Sequence, residues 1–458
     1  MQNTHATDRI GTERIGKLLW DFSAPAIVGM VVGALYNITD RIYVGQGVDA
    51  LGIAGITIAM PMMMVLMGSS MLIGIGANAL FSIRLGEGRR DEVEKIMGHA
   101  FALLFLVPAA VIAVCFIWLD EIVISLLGAS ETVFPYAKTY LEIILYGGIF
   151  GAMGPGINHF IRSDGHPRTS MLTQLIGAGI NIVLDPIFIF WCDWGIAGAA
   201  WATIISQFIS FVWVMGYFNS RYTRLRFRLA DMKLELKLCL SIMAIGFAPA
   251  AMEIAMSVVG ALQNHSLNAY GGDMAVSAMG IVYSIAIVFF MPLFGIAQGA
   301  QPLIGYNYGA KKYDRVRQAF NGSLLAATIF MTAAFVLMQA VPTLLIWLFH
   351  SEADELMEMS VYCLRVSTLV FPLVAFNMLS ANYFQSIGKP IEGAILSLSR
   401  QLIIYLPLLF VLGHWFGLEG VFWAMPVSDI LAVLLSAVFM VFEIKRLKRL
   451  TVLSFSTM

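Results

Sequence analysis

Charge is scarce in this 458-residue chain. Asp, Glu, Lys and Arg together make up 12% of it and nearly cancel, leaving a formal net charge of −1 at pH 7. Soluble domains carry about 25%, so a water-soluble enzyme is excluded first. Near-neutrality also removes the bulk attraction that nucleic acid would need. Cysteine is scarce too. Cys115, Cys192, Cys239 and Cys363 are scattered, form no CxxC pair and lie in or beside apolar runs. Neither a disulfide framework nor a zinc site follows from that pattern. The sequence has no GxxxxGK[ST] loop, no HExxH and no GxSxG. ATP hydrolysis, zinc proteolysis and serine hydrolysis therefore lack their residues, and the expectation is a non-enzyme without a cofactor. Gly68-Ser-Ser and Gly74-x-Gly76 read as small-residue helix packing, because no strand precedes them to make a nucleotide loop.

What the chain has in abundance is apolar length. Hydrophobic residues make up 59% of it, and the mean hydropathy is +0.81. A bilayer core takes about 20 apolar residues per helix. Twelve such runs are present, over 17–44, 51–82, 96–119, 136–160, 169–191, 195–218, 238–265, 275–305, 318–349, 361–384, 392–413 and 418–443. The first 16 residues are polar and carry no signal-peptide pattern, so the first helix acts as its own insertion signal. With both termini and every even-to-odd connection on one side, 24 of the 28 basic residues fall on that side. The exceptions are Arg41, Lys138, Arg365 and Arg400. Positive charge stays inside, so a multi-pass protein of the cytoplasmic membrane is expected, with both termini in the cytoplasm.

The second half restates the first at an offset of about 220–227 residues. Ala34-Leu35-x-Asn37 recurs as Ala261-Leu262-x-Asn264, and Ser163-x-Gly165-x-Pro167 as Ser386-x-Gly388-x-Pro390. Gly195, Gly198, Trp201-Ala202 and Ser206 recur as Gly417, Gly420, Trp423-Ala424 and Ser428. The expected fold is an all-α integral membrane protein of twelve transmembrane helices. They form two six-helix lobes related by a pseudo-twofold axis along the membrane normal. The lobes are 1–220 and 238–458, joined by a basic cytoplasmic linker at 221–237. Parallel repeats of this kind recur in secondary transporters; a duplicated structural or channel-like bundle is the plainer alternative.

An ionisable side chain inside a span costs a few kcal/mol and is a functional candidate by default. Asp40, Glu142, Asp185, Glu253, Arg400 and Asp429 qualify. The repeat aligns Asp40 with Leu267 and Asp185 near Leu406, so neither acid is needed to build a lobe. Asn181 and Asp185 are one turn apart and share a helix face, and Pro186 frees a carbonyl in the turn before it. That combination suits a proton or a small hard cation. Asp40 follows Asn37 in Asn37-Ile-Thr-Asp40-Arg41 and has a second reading as an interfacial acid paired with Arg41. Asp185 has one as a structural hydrogen-bonding group. Glu253 is either a cavity residue of the second lobe or a helix-packing acid. Arg400 meets either a cavity ligand or a buried acid. Glu142 and Asp429 read as satisfied structural groups. The Met-rich stretch Met60-Pro61-Met62-Met63-Met64 suits either a promiscuous cavity or ordinary packing.

The ordered set of these motifs resembles the multidrug and toxic compound extrusion (MATE) family over nearly the whole chain. Pro25 in helix 1, Asn37-x-x-Asp40, Asn181-x-x-x-Asp185-Pro186, Gln298-x-x-Gln301-Pro302 and Asn307-x-Gly309 carry the resemblance. Asn264-x-x-Leu267 with Tyr270-Gly-Gly-Asp273 is similar to a bacterial drug-exporter branch of that family. The resemblance implies an antiporter that couples H+ and/or Na+ entry to export of lipophilic cationic drugs or toxic metabolites. It assigns the coupling site to Asp40, Asn181, Asp185 and Thr203, which would also be the Na+ ligands, with Tyr140 as a further polar member. Glu253 falls near a family sodium-binding Glu, and the Asp that accompanies it in helix 10 has no counterpart here. Asn37 and Arg400 stand as further coupling or substrate residues, and Pro25 as the hinge of helix 1. Small organic substrates and membrane lipid are the expected partners, in a monomer without an obligatory protein partner. A lipid-linked precursor flippase of the same superfamily, or a dedicated metabolite or toxin exporter, is the alternative.

Overall fold

The computed structural model describes residues 6–48, 50–221, 223, 225, 232–349 and 355–456. Arg224, Arg226 and Arg228 of the basic linker lie outside them. The described secondary structure is helical throughout, as bilayer burial demands of a chain whose backbone must satisfy itself. In order the helices are α1 (Ala6–Thr12), α2 (Ile15–Gly47), α3 (Ala50–Gly86), α4 (Arg90–Ile117), α5 (Leu119–Glu121), α6 (Phe134–Ser163), α7 (Pro167–Pro186) and α8 (Gly195–Asn219). Then follow α9 (Leu236–Gly309), α10 (Tyr313–Ala340), α11 (Pro342–Trp347), α12 (Glu355–Ser367), α13 (Phe371–Ser386), α14 (Pro390–Leu398) and α15 (Leu406–Ser456). Among the described residues nine helices are long and apolar enough to cross a bilayer, and α12 with α13 forms a tenth candidate bent by 50°. Two of the nine far exceed one crossing, and both are broken by a glycine. Gly272 (φ 63°) interrupts α9, and Gly417 (φ 62°) interrupts the stretch of α15.

The repeat is visible in the backbone. Gly165 (φ 90°) and Gly388 (φ 73°) occupy the same left-handed turn in the two halves, as do Gly195 (φ 54°) and Gly417 (φ 62°). Only glycine takes such angles without strain, which is why these pairs survive when the surrounding side chains differ.

The chain gathers into two compact units. The first holds residues 1–12 and 28–254; the second holds 13–27 and 255–458. In the first unit α6 is the central helix, with 67% of its apolar window buried, and it packs on α3, α4, α7 and α8. Met62 and Leu66 of α3 join Ile112, Leu141, Ile144 and Leu145 in that core, so part of the Met-rich stretch is ordinary packing, while Met67 is exposed. Small residues set the closest seams, as expected. A Cβ on Gly74 would lie 2.8 Å from Gly156 Cα, and one on Gly76 would lie 2.0 Å from the Ile242 carbonyl oxygen.

The opening stretch of α9 belongs to this unit and is held at its start. His99 Nδ1–H donates to the Lys95 carbonyl (2.8 Å), and its Nε2 accepts the Glu235 N–H (2.9 Å). Lys95 Nζ reaches Glu235 Oε1 at 3.1 Å, and this hydrogen bond and charge hold the Glu235 carboxyl below the usual range. In the second unit α13 packs on α10, α14 and α15. The opening stretch of α2 belongs there: Gly299 backs onto Ser23, and Arg315 Nη2 donates to the Glu13 carbonyl at 2.7 Å.

The turn after α6 is locked by side chains. The Tyr217 hydroxyl donates to Asp164 Oδ2 (2.7 Å) and lies 2.7 Å from His166 Nδ1, which then donates to it. The corresponding position in the second half is Lys389, which bonds the buried Glu443 at 2.5 Å. Tyr217→Phe leaves Asp164 short of a donor, and a stability loss of about 1–3 kcal/mol is expected. Thermal melting of the purified protein reads it directly, and an unchanged melting point would dismiss the lock.

Candidate functional site

Asp40, Asn181, Asp185 and Thr203 come together inside the first unit, with Tyr140 beside them. All five are buried, Asp185 completely. Asp40 arrives from α2, one turn after Tyr36, and Asp185 from the last turn of α7. Pro186 has no N–H to give to the Ile182 carbonyl. A π-helical turn, Ile187–Trp191, follows it directly. π-turns widen the backbone and cluster at functional sites. Thr203 comes from α8, which packs along α7.

Asn181 Nδ2 donates to Asp185 Oδ1 (3.4 Å) and lies 3.5 Å from Thr203 Oγ1. The carboxyl groups of Asp40 and Asp185 are within hydrogen-bonding reach of each other once one carries a proton. Tyr140 lies beside Thr203, and Tyr36 lies close enough to feel both carboxylates. Three buried acceptors, Asp40 Oδ1, Asn181 Oδ1 and Asp185 Oδ2, have no donor among the described residues. A buried unsatisfied acceptor costs about 1–3 kcal/mol, more when charged. Every orphan here is an oxygen, the kind of atom that a proton or a hard cation would satisfy. Among the described residues no group of three His, Cys, Asp or Glu side chains gathers anywhere, so a softer metal has no comparable set.

Tyr36 was not singled out by sequence reasoning. Its signal was its place one turn before Asp40; a tyrosine in a membrane helix raises no alarm alone. Asp40 and Arg41 make no direct ion pair among the described residues. Arg41 is exposed and its Nη2 reaches Met60 Sδ at 3.0 Å, whereas Asp40 is 8% exposed. Asn37 is apart from the cluster: it is exposed, and its amide bonds the Gly33 carbonyl of its own helix at 2.7 Å. Glu142 accepts from the Tyr146 hydroxyl (3.1 Å). Glu253 sits half-buried in the opening stretch of α9, hence in the first unit, against Gly68 of α3. Arg400 and Asp429 meet each other in the second unit, Nε to Oδ1 at 2.6 Å. Pro25 lies within an unbroken α2, two residues before the chain passes from the second unit to the first.

Comparison with known proteins gives the same outline. The family model described as MatE matches residues 25–187 and again 249–411, two stretches of equal length that fall on the two halves of the repeat. The multidrug export protein MepA of Staphylococcus haemolyticus is 27% identical over 439 residues, covering 96% of this chain and 95% of the relative. MepA of Staphylococcus aureus (strain MSSA476) is 27% identical over 420 residues, covering 91% and 92%. A solved structure of a multidrug resistance MATE family transporter of the MOP superfamily, in an outward-facing conformation, superposes with a TM-score of 0.91. It is 22% identical and covers 98% of this chain and 100% of that one. A MOP superfamily transporter from Pyrococcus furiosus, described as having a binding pocket of reversed polarity, superposes at 0.90 with 22% identity, covering 98% and 99%.

Proposed function

The chain belongs to the MatE family of membrane transporters, and from that premise we propose that it is an H+- and/or Na+-coupled antiporter exporting lipophilic, cationic organic compounds by alternating access. The observation that carries the reading is the buried cluster of Asp40, Asn181, Asp185, Thr203 and Tyr140, flanked by the half-buried Tyr36, with three acceptor oxygens lacking a donor among the described residues. Two carboxylates this close repel when both are ionised. A proton or Na+ from outside relieves that repulsion. An ion moves a conformational equilibrium only by the difference in its affinity for the two states. The cluster supplies that difference if its oxygens close around the ion in one state and part in the other. Tyr140 and Thr203 orient Asn181, and Asn181 holds Asp185 in the turn that Pro186 opens.

Drug export is the named function of the MepA relatives; the lipophilic, cationic character of the substrate is what the family resemblance implies. Twelve crossings follow if α9 and the helix broken at Gly417 each count twice and the bent pair α12–α13 once. Two six-crossing halves, 1–220 and 238–458, would then both start in the cytoplasm with the linker 221–237, in keeping with the basic residues. The chain would work as a monomer in the cytoplasmic membrane.

Adding a lipophilic cation such as tetraphenylphosphonium to weakly buffered, purified protein is expected to release protons over part of the pH range. Na+ is expected to compete with the compound wherever Na+ couples. Saturable binding with neither proton release nor Na+ competition at any pH would defeat antiport while leaving the fold untouched.

A further inference from the structure

Arg400 is the basic residue lying well inside a span, and its pairing is half made. It stands on a π-helical turn, Ser399–Tyr405, inserted between α14 and α15. Its Nε donates to Asp429 Oδ1 at 2.6 Å, and its guanidinium carbon lies 5.8 Å from the centroid of the Phe290 ring. Phe290 is itself fixed edge-on against Phe371, with ring centroids 5.4 Å apart. The ion pair therefore uses one nitrogen and one oxygen rather than the two parallel bonds that a guanidinium and a carboxylate normally make. The remaining edge, Nη1 and Nη2, makes no hydrogen bond among the described residues. The Arg400 side chain is 14% exposed and that of Asp429 is 2% exposed, so the Asp429 side is sealed while the free edge is open. Two more polar atoms on the sealed side, Asp429 Oδ2 and the Tyr405 hydroxyl, are buried without a partner. This is a fork held stiffly from behind and left open in front.

Packing does not require it. The repeat places Gly179 and Gln207 where Arg400 and Asp429 stand, so the first unit builds the same helix pair without a charge. A Cβ on Gly179 would meet nothing within 4 Å; this position opens onto free space in that unit as well. An arginine in a membrane-spanning helix is expensive and is kept for a purpose.

We propose that Arg400 is a specificity-determining residue of the second unit, its Nη1–Nη2 edge binding the carboxylate of amphoteric organic substrates. The inference rests on the reading of the chain as an exporter of organic compounds. A planar fork with two parallel donors matches a carboxylate, whereas an ammonium gains nothing from it. One guanidinium already sharing its charge with Asp429 suits a single carboxylate rather than a diphosphate. Phe290 behind it offers an apolar wall for the aromatic body of such a molecule.

The test uses two dyes that differ only at that group. Rhodamine 110 carries a free carboxylate; rhodamine 123 is its methyl ester and a plain cation. Binding of each to the purified full-length protein is read by fluorescence polarisation. Wild type is expected to bind both. In the double variant Arg400→Gln/Asp429→Asn, which replaces the ion pair by two amides and leaves no charge buried alone, the acid should weaken relative to the ester by about tenfold or more. Arg400→Lys, which keeps the charge but loses the fork, should recover part of that ratio. Equal losses for the two dyes, or no loss for either, would overturn the assignment. Wild type binding rhodamine 123 alone would overturn it while sparing drug export. Wild type binding neither dye would remove the export reading and this inference together.

Discussion

Asp185→Asn is expected to leave a folded protein that no longer couples transport to an ion gradient. Asp185 is fully buried in the first unit, and the repeat puts an apolar residue near its place in the second half. The fold therefore tolerates a neutral group there. Asparagine keeps the size and one acceptor oxygen for Asn181 but can neither release a proton nor offer a charge to Na+. It also abolishes the repulsion with Asp40 that ion entry relieves. Coupling between two ligands of one protein typically amounts to about 1–3 kcal/mol, or 5–150-fold. Dye export from vesicles under an imposed pH or Na+ gradient should fall by an amount in that range, with Asp40→Asn falling likewise. Melting temperatures should change little, because no buried charge is created. If both variants export like wild type, the cluster is structural and the antiport mechanism is wrong.

That cluster was legible to unequal depths. Asp40 and Asp185 announced themselves because a carboxylate in an apolar run is expensive, and Asn181 because it stands one turn from Asp185. Thr203 and Tyr140 carry no such signal: hydroxyls are common in membrane helices, and only the resemblance pointed to them. Tyr36 went unnoticed for the same reason. Arg400 and Asp429 both stood out, but not their pairing, since they lie on different helices and pairing of that kind is a tertiary fact. The helical class and the repeat were legible because apolar length and left-handed glycine turns are local properties. The allocation of helix ends to the two units was not. The opening stretches of α2 and α9 each join the compact unit formed mainly by the other half of the sequence. What holds them there is the close approach of small residues, which leaves only scattered glycines in the text.

The α9 seam also yields the second large effect. A Cβ on Gly246 would lie 1.8 Å from the Leu72 carbonyl oxygen and 2.5 Å from its carbon. From the other side, a Cβ on Gly76 would lie 2.8 Å from the Gly246 nitrogen. These are backbone atoms of two packed helices, so no side chain can swing aside to make room. Gly246→Val must push the start of α9 off α3, against the tether that His99 and Lys95 make at Glu235. Overpacking a tight core costs about 1–3 kcal/mol when side chains can yield. Here the upper end or beyond is expected, lowering the melting temperature by roughly 5–10 °C at about 2–4 °C per kcal/mol. Gly260→Ala is the matched control, in the same helix but with nothing within 4 Å of its Cβ. Alanine there should stabilise or do nothing, since it only adds helix propensity. A Gly246→Val protein that melts and transports like Gly260→Ala would mean that α3 and α9 do not meet backbone to backbone.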